Sequence, residues 1–180
     1  GAIAGYLGAY IDADAQRLNP LAGLIIVLMI IFAFRRLAPA LLAVMMILAS
    51  VGVALGSMAA LGIPFYVITN ALPVILIGIS VADTIHIFSH FYEAQSKAPQ
   101  LPRSELIVST MSAMWLPVTI TSLTTAAGFL GLYFAAYMPP FKYFGLFAAL
   151  GVAVAWLYSI VALPILMSLF RVQVAQQFID

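Results

Sequence analysis

Long apolar segments, separated by short polar ones, run through almost the whole sequence. An α-helix needs about 20 apolar residues to cross the ~30 Å hydrocarbon core of a bilayer, and several of these segments approach or exceed that length. The pattern therefore predicts five transmembrane helices, at about residues 18–34, 39–61, 66–91, 111–134 and 143–170. Together they make up a five-helix transmembrane domain over residues 18–171.

Prolines, glycines and charges mark the ends of these segments. The Gly-Ile-Pro sequence at residues 62–64 predicts a tight turn between the second and third spans, and the proline pair at residues 139–140 predicts a break before the fifth. Pro73 lies inside the third span and predicts a kink, which a packed bundle can tolerate. A polar connection at residues 92–105 separates the third span from the fourth.

The two ends of the chain are less apolar than the spans. Residues 1–17 carry Asp12, Asp14 and Arg17, and they predict an interfacial segment that leads into the first span. Residues 172–180 predict an amphipathic tail. Because the chain begins Gly-Ala, without an initiator methionine, we expect it to be a processed or excised piece of a longer protein.

The amino-acid composition is that of a chain surrounded by lipid and not by water. Hydrophobic residues make up 65% of the chain and charged residues 7%, with a mean hydropathy of +1.16, whereas a soluble domain carries about 25% charged residues. A net charge of +1 argues against a nucleic-acid partner, and the absence of cysteine excludes disulfides and thiolate sites. We therefore predict an all-α polytopic membrane protein whose first partner is the lipid bilayer.

The basic residues predict an orientation. If the amino end lies outside, the cytoplasmic side holds five basic residues and the extracytoplasmic side holds two. The first set is Arg35, Arg36, Lys97, Arg103 and Arg171, and the second is Arg17 and Lys142. Because cytoplasmic loops are enriched in lysine and arginine, we predict an extracytoplasmic N-terminus and a cytoplasmic C-terminus.

Asp83 is the acidic side chain in the middle of the third span. A carboxylate near the centre of a bilayer costs about 2.5–3.5 kcal/mol on insertion scales, so it must be hydrated, paired or neutralised. Ser80, Thr84 and His86 offer hydroxyls and an imidazole close by in sequence. We interpret Asp83 as a proton-handling group, with Thr84 and His86 in the same proton-coupling site.

Further titratable side chains follow Asp83 along the same helix. At ~3.6 residues per turn, His86, His90 and Glu93 share one narrow stripe with Asp83, and Ser80 flanks it. The stripe leads towards the predicted cytoplasmic end, which makes Ser80 and His90 candidates for a proton path. The alternative is that His90 and Glu93 are ordinary interfacial residues.

Other kinds of site are less favoured by these residues. Asp83, His86 and His90 have a spacing that suits zinc, but the chain supplies no further ligand set, and we predict no metal. Two histidines on one helix cannot hold opposite faces of a haem, and no cofactor is expected. An intramembrane aspartyl protease needs a second membrane aspartate, which the spans lack, so we do not expect an enzyme.

The fourth span carries a cluster of hydroxyls. There are five within seven residues, at Thr119, Thr121, Ser122, Thr124 and Thr125. Such groups can donate to a carboxylate, hold water, or bond back to the carbonyls of their own helix. We expect a hydrated polar layer between the third and fourth spans, with Thr121 and Thr125 at the proton-coupling site and Ser122 and Thr124 on its proton path. Bonding back is the alternative for part of the set.

Small residues predict where helices approach closely. They are Ala49, Gly52 and Gly56 in the second span and Gly145, Ala149, Gly151 and Ala155 in the fifth. The alternative is that small residues are simply common in transmembrane helices.

These motifs together resemble the RND superfamily, and among its branches the hydrophobe and amphiphile exporters related to the mycobacterial membrane-lipid (MMPL) transporters. The resemblance is carried by residues 78–93, residues 117–129, and the segment 139–141 with Gly145. Residues 17–21, which lead into the first span, also resemble the second helix of that fold.

The resemblance implies a proton-motive-force-driven exporter of hydrophobic or amphiphilic, lipid-like substrates. RND transporters have twelve transmembrane helices in two halves, with a large porter domain after the first helix of each half. The five spans would be helices two to six of one half, and Asp83 would be the second acid of the family's Val-Asp-Asp pattern. Ala82 stands at the first acid, so Asp83 would act alone or with residues of the other half.

The same resemblance implies a bacterial inner-membrane protein that works as an oligomer. The first helix, the porter domain and the second half would come from the remainder of the transporter or from partner chains. Two alternatives stay open. One is a lipid sensor or scaffold like the sterol-sensing domain, which shares five spans and this ancestry, and the other is a subunit of a Sec-type translocation motor.

Overall fold

The computed structural model describes residues 37–169 without interruption, together with isolated helical positions between residues 17 and 32. Its helices are α1 (Leu37–Ala60), α2 (Ala71–Lys97), α3 (Arg103–Ala135), α4 (Pro139–Leu157) and α5 (Leu163–Leu169). A 3₁₀ turn, Val67–Asn70, leads into α2, and a π-helical turn, Tyr158–Ala162, joins α4 to α5. The described residues contain no strand, which confirms the predicted all-α fold class.

Four segments of the described chain are long and apolar enough to cross a membrane. They are Leu37–Ala60, Val67–Lys97, Arg103–Ala135 and Pro139–Leu169. They correspond to the second to fifth predicted spans, so the prediction of a multi-pass membrane protein is confirmed. Most of the first predicted span, 18–34, lies outside the described residues, as do the predicted interfacial segment before it and the tail 172–180.

The predicted polar connection at residues 92–105 is wrong for most of its length. Helix α2 continues to Lys97, whose Nζ lies 2.5 Å from Glu93 Oε1 one turn earlier, a spacing at which opposite charges support a helix. Helix α3 already begins at Arg103. Only residues 98–102 remain outside helices between them.

Pro73 does not kink a helix interior, in contrast to the prediction. It is the third residue of α2, because the 3₁₀ turn precedes the helix. The first N–H groups of a helix have no acceptor within it, so a proline there loses no hydrogen bond. Pro139 and Pro140 occupy the first two positions of α4 for the same reason.

Helix α4 is the centre of the bundle and packs against α1, α2 and α3, most extensively against α3. We call the end with the α1–α2 connection the upper end, and the end with the α2–α3 connection the lower end. The upper half of the core contains Met58, Leu72, Phe144, Phe147 and Ala148, followed by Ala54, Leu76 and Val152. The lower half is centred on Ala43, Ile87, Phe88, Phe91, Leu163 and Met167.

Two glycines of α4 lie at close helix contacts, which confirms the prediction for the fifth span. A Cβ on Gly145 would come within 2.5 Å of the Phe129 carbonyl oxygen and 2.9 Å of the Tyr133 nitrogen, both backbone atoms of α3. A Cβ on Gly151 would meet the side chain of Leu76.

The prediction for the small residues of the second span is not matched by a close contact at its two glycines within the described residues. Gly52 and Gly56 have open space around their Cβ positions within the described part of the chain. Both lie on the exposed face of α1.

Substitution of Gly145 by alanine should destabilise the bundle. The added Cβ meets backbone atoms of α3, which cannot rotate away, and overpacking of this kind costs about 1–3 kcal/mol. The purified protein in detergent is heated to a series of temperatures, and size-exclusion chromatography measures the fraction that remains folded. The Gly145→Ala variant should show a lower melting temperature. Gly52→Ala is the matched control, because it removes a helical glycine without a clash and should leave the melting temperature equal or higher. Equal stability of the two variants would contradict the close approach of α4 to α3.

Candidate functional site

Five buried polar side chains form a layer between the upper and lower halves of the core. They come from three segments of the chain: Ser50 of α1, Ser80, Asp83 and Thr84 of α2, and Ser159 of the π-helical turn. We call this set the polar layer. On each segment the layer lies between residues of the two apolar halves, so it sits far from both ends of the bundle.

Asp83 receives its hydrogen bond from the last span. Ser159 Oγ donates to Asp83 Oδ2 at 3.3 Å. The Ser159 oxygen also lies 3.7 Å from Met46 Sδ of α1. Hydroxyl bonds to oxygen cluster near 2.7–2.8 Å, so the contact to Ser159 holds the carboxyl only weakly. Asp83 is nevertheless only 7% exposed, and any charge it carries is therefore largely removed from solvent.

The remaining hydroxyls of the polar layer connect α2 to α1. Thr84 Oγ1 donates to the Ser80 carbonyl oxygen at 2.8 Å and lies 3.6 Å from Met46 Sδ. Ser80 Oγ and Ser50 Oγ are 3.3 Å apart, and either can be the donor. The two serines are fully buried, so this contact supplies hydrogen bonding that neither lipid nor water provides there.

A proline explains why Ser159 lies at a widened turn. Pro164 has no N–H to donate to the carbonyl of Ile160, and its ring would collide with that carbonyl in a regular helix. The π-helical turn Tyr158–Ala162 ends two residues before Pro164, and turns of this kind are frequent at functional sites. Within this turn Ser159 is the buried residue, and it faces Asp83.

Asp83 also borders a cavity of about 200 Å³ between α2 and α3, which we call the Asp83 cavity. The cavity is lined by Ile79, Ala82, Asp83, His86, Thr121, Ser122 and Thr125. A water occupies about 30 Å³ of liquid, so several waters fit beside the carboxyl. The predicted partners His86, Thr121 and Thr125 therefore do lie around Asp83, although across a cavity.

The hydroxyls of α3 differ from the predicted arrangement in their hydrogen bonds. Thr121 Oγ1 lies 3.0 Å from the Pro117 carbonyl, Thr124 Oγ1 lies 2.9 Å from the Ile120 carbonyl, and Thr125 Oγ1 lies 2.7 Å from the Thr121 carbonyl. Each donates within its own helix, which is the alternative given for part of the set. Thr121 and Thr125 line the Asp83 cavity, and their lone pairs can still accept hydrogen bonds there.

The predicted stripe on α2 divides into two parts. His86 is exposed and lines the Asp83 cavity, whereas His90 is half-buried, its Nδ1 lacks a partner among the described residues, and it does not line the cavity. Glu93 is exposed and pairs with Lys97. Thr124 also lies outside the cavity lining. The proposed proton path through Ser80, His90, Ser122 and Thr124 stays a prediction.

Two residues of the polar layer, Ser50 and Ser159, were not predicted from the sequence. Each is an isolated serine in a strongly apolar span, and such a serine is often just bonded to its own helix. Ser50 does donate to the Ile47 carbonyl at 3.1 Å. Pro164, five positions after Ser159, is the sequence signal that could have drawn attention to that turn.

The Asp83–Ser159 contact should be detectable as a coupling energy. In a double-mutant cycle with Asp83→Ala and Ser159→Ala, each change removes one partner of the contact, and we expect the two changes to be non-additive by about 1 kcal/mol in the free energy of unfolding. Titration with SDS measures the free energy of unfolding of each variant. Ser57→Ala is the control, because among the described residues the Ser57 hydroxyl bonds to the Ala54 carbonyl of its own helix and to no residue of another span. Additivity of Ser159→Ala with Asp83→Ala would argue against the contact.

One family model matches this chain. It is described as the sterol-sensing domain of SREBP cleavage-activation, and it covers residues 35–180, which is most of the sequence. No curated protein matches the chain. The matched domain occurs in RND- and MMPL-related proteins and in lipid-sensing membrane proteins, so the match supports the predicted superfamily at a coarser level than the exporter branch. By this match the chain belongs to the sterol-sensing domain family.

Proposed function

We propose that this chain is the membrane domain of a lipid-handling transporter in which proton binding at Asp83 drives the export of hydrophobic or amphiphilic molecules. The observation that carries the proposal is the position of Asp83: a carboxyl inside the membrane, held on one side by Ser159 and open on another to a cavity that contains His86. Ionisable groups at such depth are expensive and mark ion or proton pathways.

The arrangement offers Asp83 two different environments. When it is charged, it needs donors, and the Ser159 hydroxyl and waters in the Asp83 cavity can supply them. When it is protonated, it can donate, and the Thr121 and Thr125 oxygens across the cavity become suitable acceptors. A change of hydrogen-bond partners would strengthen or weaken the bond between Asp83 and Ser159 of the π-helical turn. This is the differential interaction that a proton needs in order to shift a conformational equilibrium.

The outer face of α2 supports the presence of a protein partner. Gly78, Ala82, His86, Ser89 and Glu93 follow one another at helical spacing and are all exposed. A face that contains a histidine and a small-residue strip beside a buried acid is a poor surface for lipid. We propose that further chain, in the same protein or in a partner subunit of an oligomer, covers it. The proposed setting is a bacterial inner membrane, with the amino end extracytoplasmic.

A second candidate function is lipid sensing without transport. The family match favours it, because the name of the matched domain refers to sterol sensing. In that case Asp83 and the polar layer would switch the bundle between two states when a lipid binds, and no ion would cross the membrane. Nothing comparable favours the alternative of a Sec-type motor subunit.

Asp83→Asn should abolish the proton response. Asparagine has nearly the same shape and can keep the contact to Ser159, but it cannot take up or release a proton. In proteoliposomes with an imposed pH gradient, we expect gradient-driven efflux of a fluorescent amphiphile to fall to background, while the amount of folded protein is unchanged. Undiminished efflux would rule out the coupling role.

Glu93→Gln is the matched control for this experiment. Glu93 is the other acid of α2, but it is exposed and paired with Lys97, so its neutralisation should leave efflux near the wild-type rate. Infrared difference spectra between two pH values should contain a carboxyl band that disappears in Asp83→Asn and persists in Glu93→Gln.

The two candidate functions differ in proton movement. A pH-sensitive dye inside the proteoliposomes should report proton flux that depends on Asp83 if the protein is a transporter. A sensor should bind lipid and change conformation without any flux. Lipid-dependent protection from proteolysis, in the absence of dye response, would favour the sensor.

A further inference from the structure

The hydroxyl of Ser159 has two acceptors within reach, and they belong to different helices. Its oxygen lies 3.3 Å from Asp83 Oδ2 of α2 and 3.7 Å from Met46 Sδ of α1. A serine hydroxyl carries a single hydrogen, so it serves one of these acceptors at a time. Rotation of that hydrogen about the Cβ–Oγ bond exchanges the acceptors without any movement of the backbone.

Ser159 lacks the local bond that holds other serines of the bundle. Ser57 and Ser168 each donate to a carbonyl three residues earlier in their own helix, which is the usual arrangement for a serine in an apolar helix. Within the described part of the chain, the bonds of the Ser159 hydroxyl run to Asp83 and to Met46. Its hydrogen is therefore used between helices and not within one.

Met46 has a sulfur atom that is placed to accept this hydrogen. The side chain is completely buried, and its Sδ lies 3.6 Å from Thr84 Oγ1 and 3.7 Å from Ser159 Oγ. Thr84 has a nearer acceptor in the Ser80 carbonyl, at 2.8 Å, and a carbonyl oxygen accepts better than a thioether. The lone pairs of the sulfur therefore remain available to Ser159.

From these contacts we infer that Met46 is a positioning residue for the proton at Asp83. Its sulfur accepts the Ser159 hydrogen when Asp83 is neutral, and the hydrogen returns to the carboxylate when Asp83 is charged. The inference rests on the proposed protonation of Asp83, and it names the side chain through which that protonation reaches α1.

The relative strengths of the two acceptors decide the direction of this exchange. A carboxylate makes charge-assisted hydrogen bonds, which are roughly twice as strong as those between neutral groups, so a charged Asp83 holds the Ser159 hydrogen against a thioether. A neutral carboxyl loses that advantage, and its own hydrogen turns to the Thr121 and Thr125 oxygens across the Asp83 cavity. Since a sulfur atom is larger than an oxygen atom, the contact to Met46 is then as close as the contact to Asp83.

Among the described residues, no charged side chain of α1, α3 or the last span borders Asp83. The α3 side chains of the Asp83 cavity are the hydroxyls of Thr121, Ser122 and Thr125. The titratable neighbour is His86 of α2, whose charge acts on Asp83 from the cavity. His86 is the same in every variant of Met46 or Ser159, so a difference in proton binding between such variants reports on those two side chains.

The exchange gives protonation a structural consequence. When Asp83 is charged, Ser159 bonds the π-helical turn to α2, and when Asp83 is neutral, Ser159 bonds the same turn to α1. The proton therefore selects which neighbouring helix holds the last span. A difference in bonding between two states is what a proton needs in order to shift the equilibrium between them.

A pH titration of the Asp83 infrared band, on the whole chain in phosphatidylcholine nanodiscs, tests the inference. The band is the carboxyl band that Asp83→Asn removes. Ser159→Ala removes the donor to the carboxylate and should raise the proton affinity about two- to tenfold, which moves the titration midpoint to higher pH. Met46→Leu keeps the side-chain volume but removes the acceptor that serves the neutral state. It should lower the proton affinity about two- to fivefold, which moves the midpoint to lower pH.

The Ser159→Ala background separates a hydrogen bond from a change in local polarity. Once Ser159→Ala has removed the hydroxyl, Met46→Leu should cause no further shift, because the sulfur acts through that hydrogen. A merely structural role of Met46 would shift the midpoint in both backgrounds. Met58→Leu is the matched control, because Met58 is equally buried but lies among apolar side chains of the upper core. It should leave the midpoint unchanged.

A second measurement follows the same bond through stability. In a double-mutant cycle of Met46→Leu with Ser159→Ala, unfolded by SDS, the two changes should be non-additive at a pH below the wild-type midpoint and additive above it. Met46→Ile is a second apolar replacement of similar volume and should behave in the same way if Met46→Leu does not fold.

Three results would overturn the inference: an unchanged midpoint in Met46→Leu, an equal shift in the Ser159→Ala background, or the same shift in Met58→Leu. None of these readouts requires transport. If the midpoint shifts as expected but no substrate moves, the export function is removed and the role of Met46 is kept. If the wild-type protein shows no titrating Asp83 band, both are removed.

Discussion

The contact between Ser159 and Asp83 joins two spans in the middle of a bundle of membrane-spanning helices. Bulk water does not solvate a carboxyl at that depth, so the helices around it must supply donors, acceptors or space for water. Ser50, Ser80 and Thr84 extend the contact into a layer, and apolar side chains close it off above and below. These groups lie where α1, α2 and the last span meet, and they satisfy part of one another's hydrogen bonding there.

The π-helical turn is the second element that this layer depends on. Pro164 cannot donate a helical hydrogen bond to the Ile160 carbonyl, and the widened turn that contains Ile160 is where Ser159 reaches Asp83. The same turn connects α4, which packs against the three other spans, to α5. A shift of the proton at Asp83 would thus act on the helix with the most neighbours. In a close-packed core, small displacements of this kind pass to adjacent helices because there is little free volume to absorb them.

Ser122 borders two cavities whose linings differ in polarity. One contains the polar side chains that surround Asp83, and the other is apolar and bordered by Trp156. Membership of the sterol-sensing domain family makes a lipid role the common ground between the candidate functions. The two candidate functions differ in whether a proton bound at Asp83 crosses the membrane or Asp83 only gains and loses a proton without net proton transport. Which of the two occurs depends on what covers the exposed face of α2.

The sequence by itself determined the all-α membrane fold and four of the spans to within a few residues at most ends, because hydrophobicity acts locally along the chain. It also singled out Asp83 as a costly acid inside a span, and the structure shows this side chain buried. It placed the polar connection and the kink at Pro73 wrongly, since an ion pair at Glu93 and Lys97 and a preceding 3₁₀ turn extend and shift helices without changing hydropathy. Only the tertiary structure decided that Ser159 faces Asp83, that Thr121, Thr124 and Thr125 bond within their own helix, and that Gly145 and not Gly52 lies at a close contact. Each of these depends on which side of one helix meets which side of another, and that is fixed by the packing of all the spans at once.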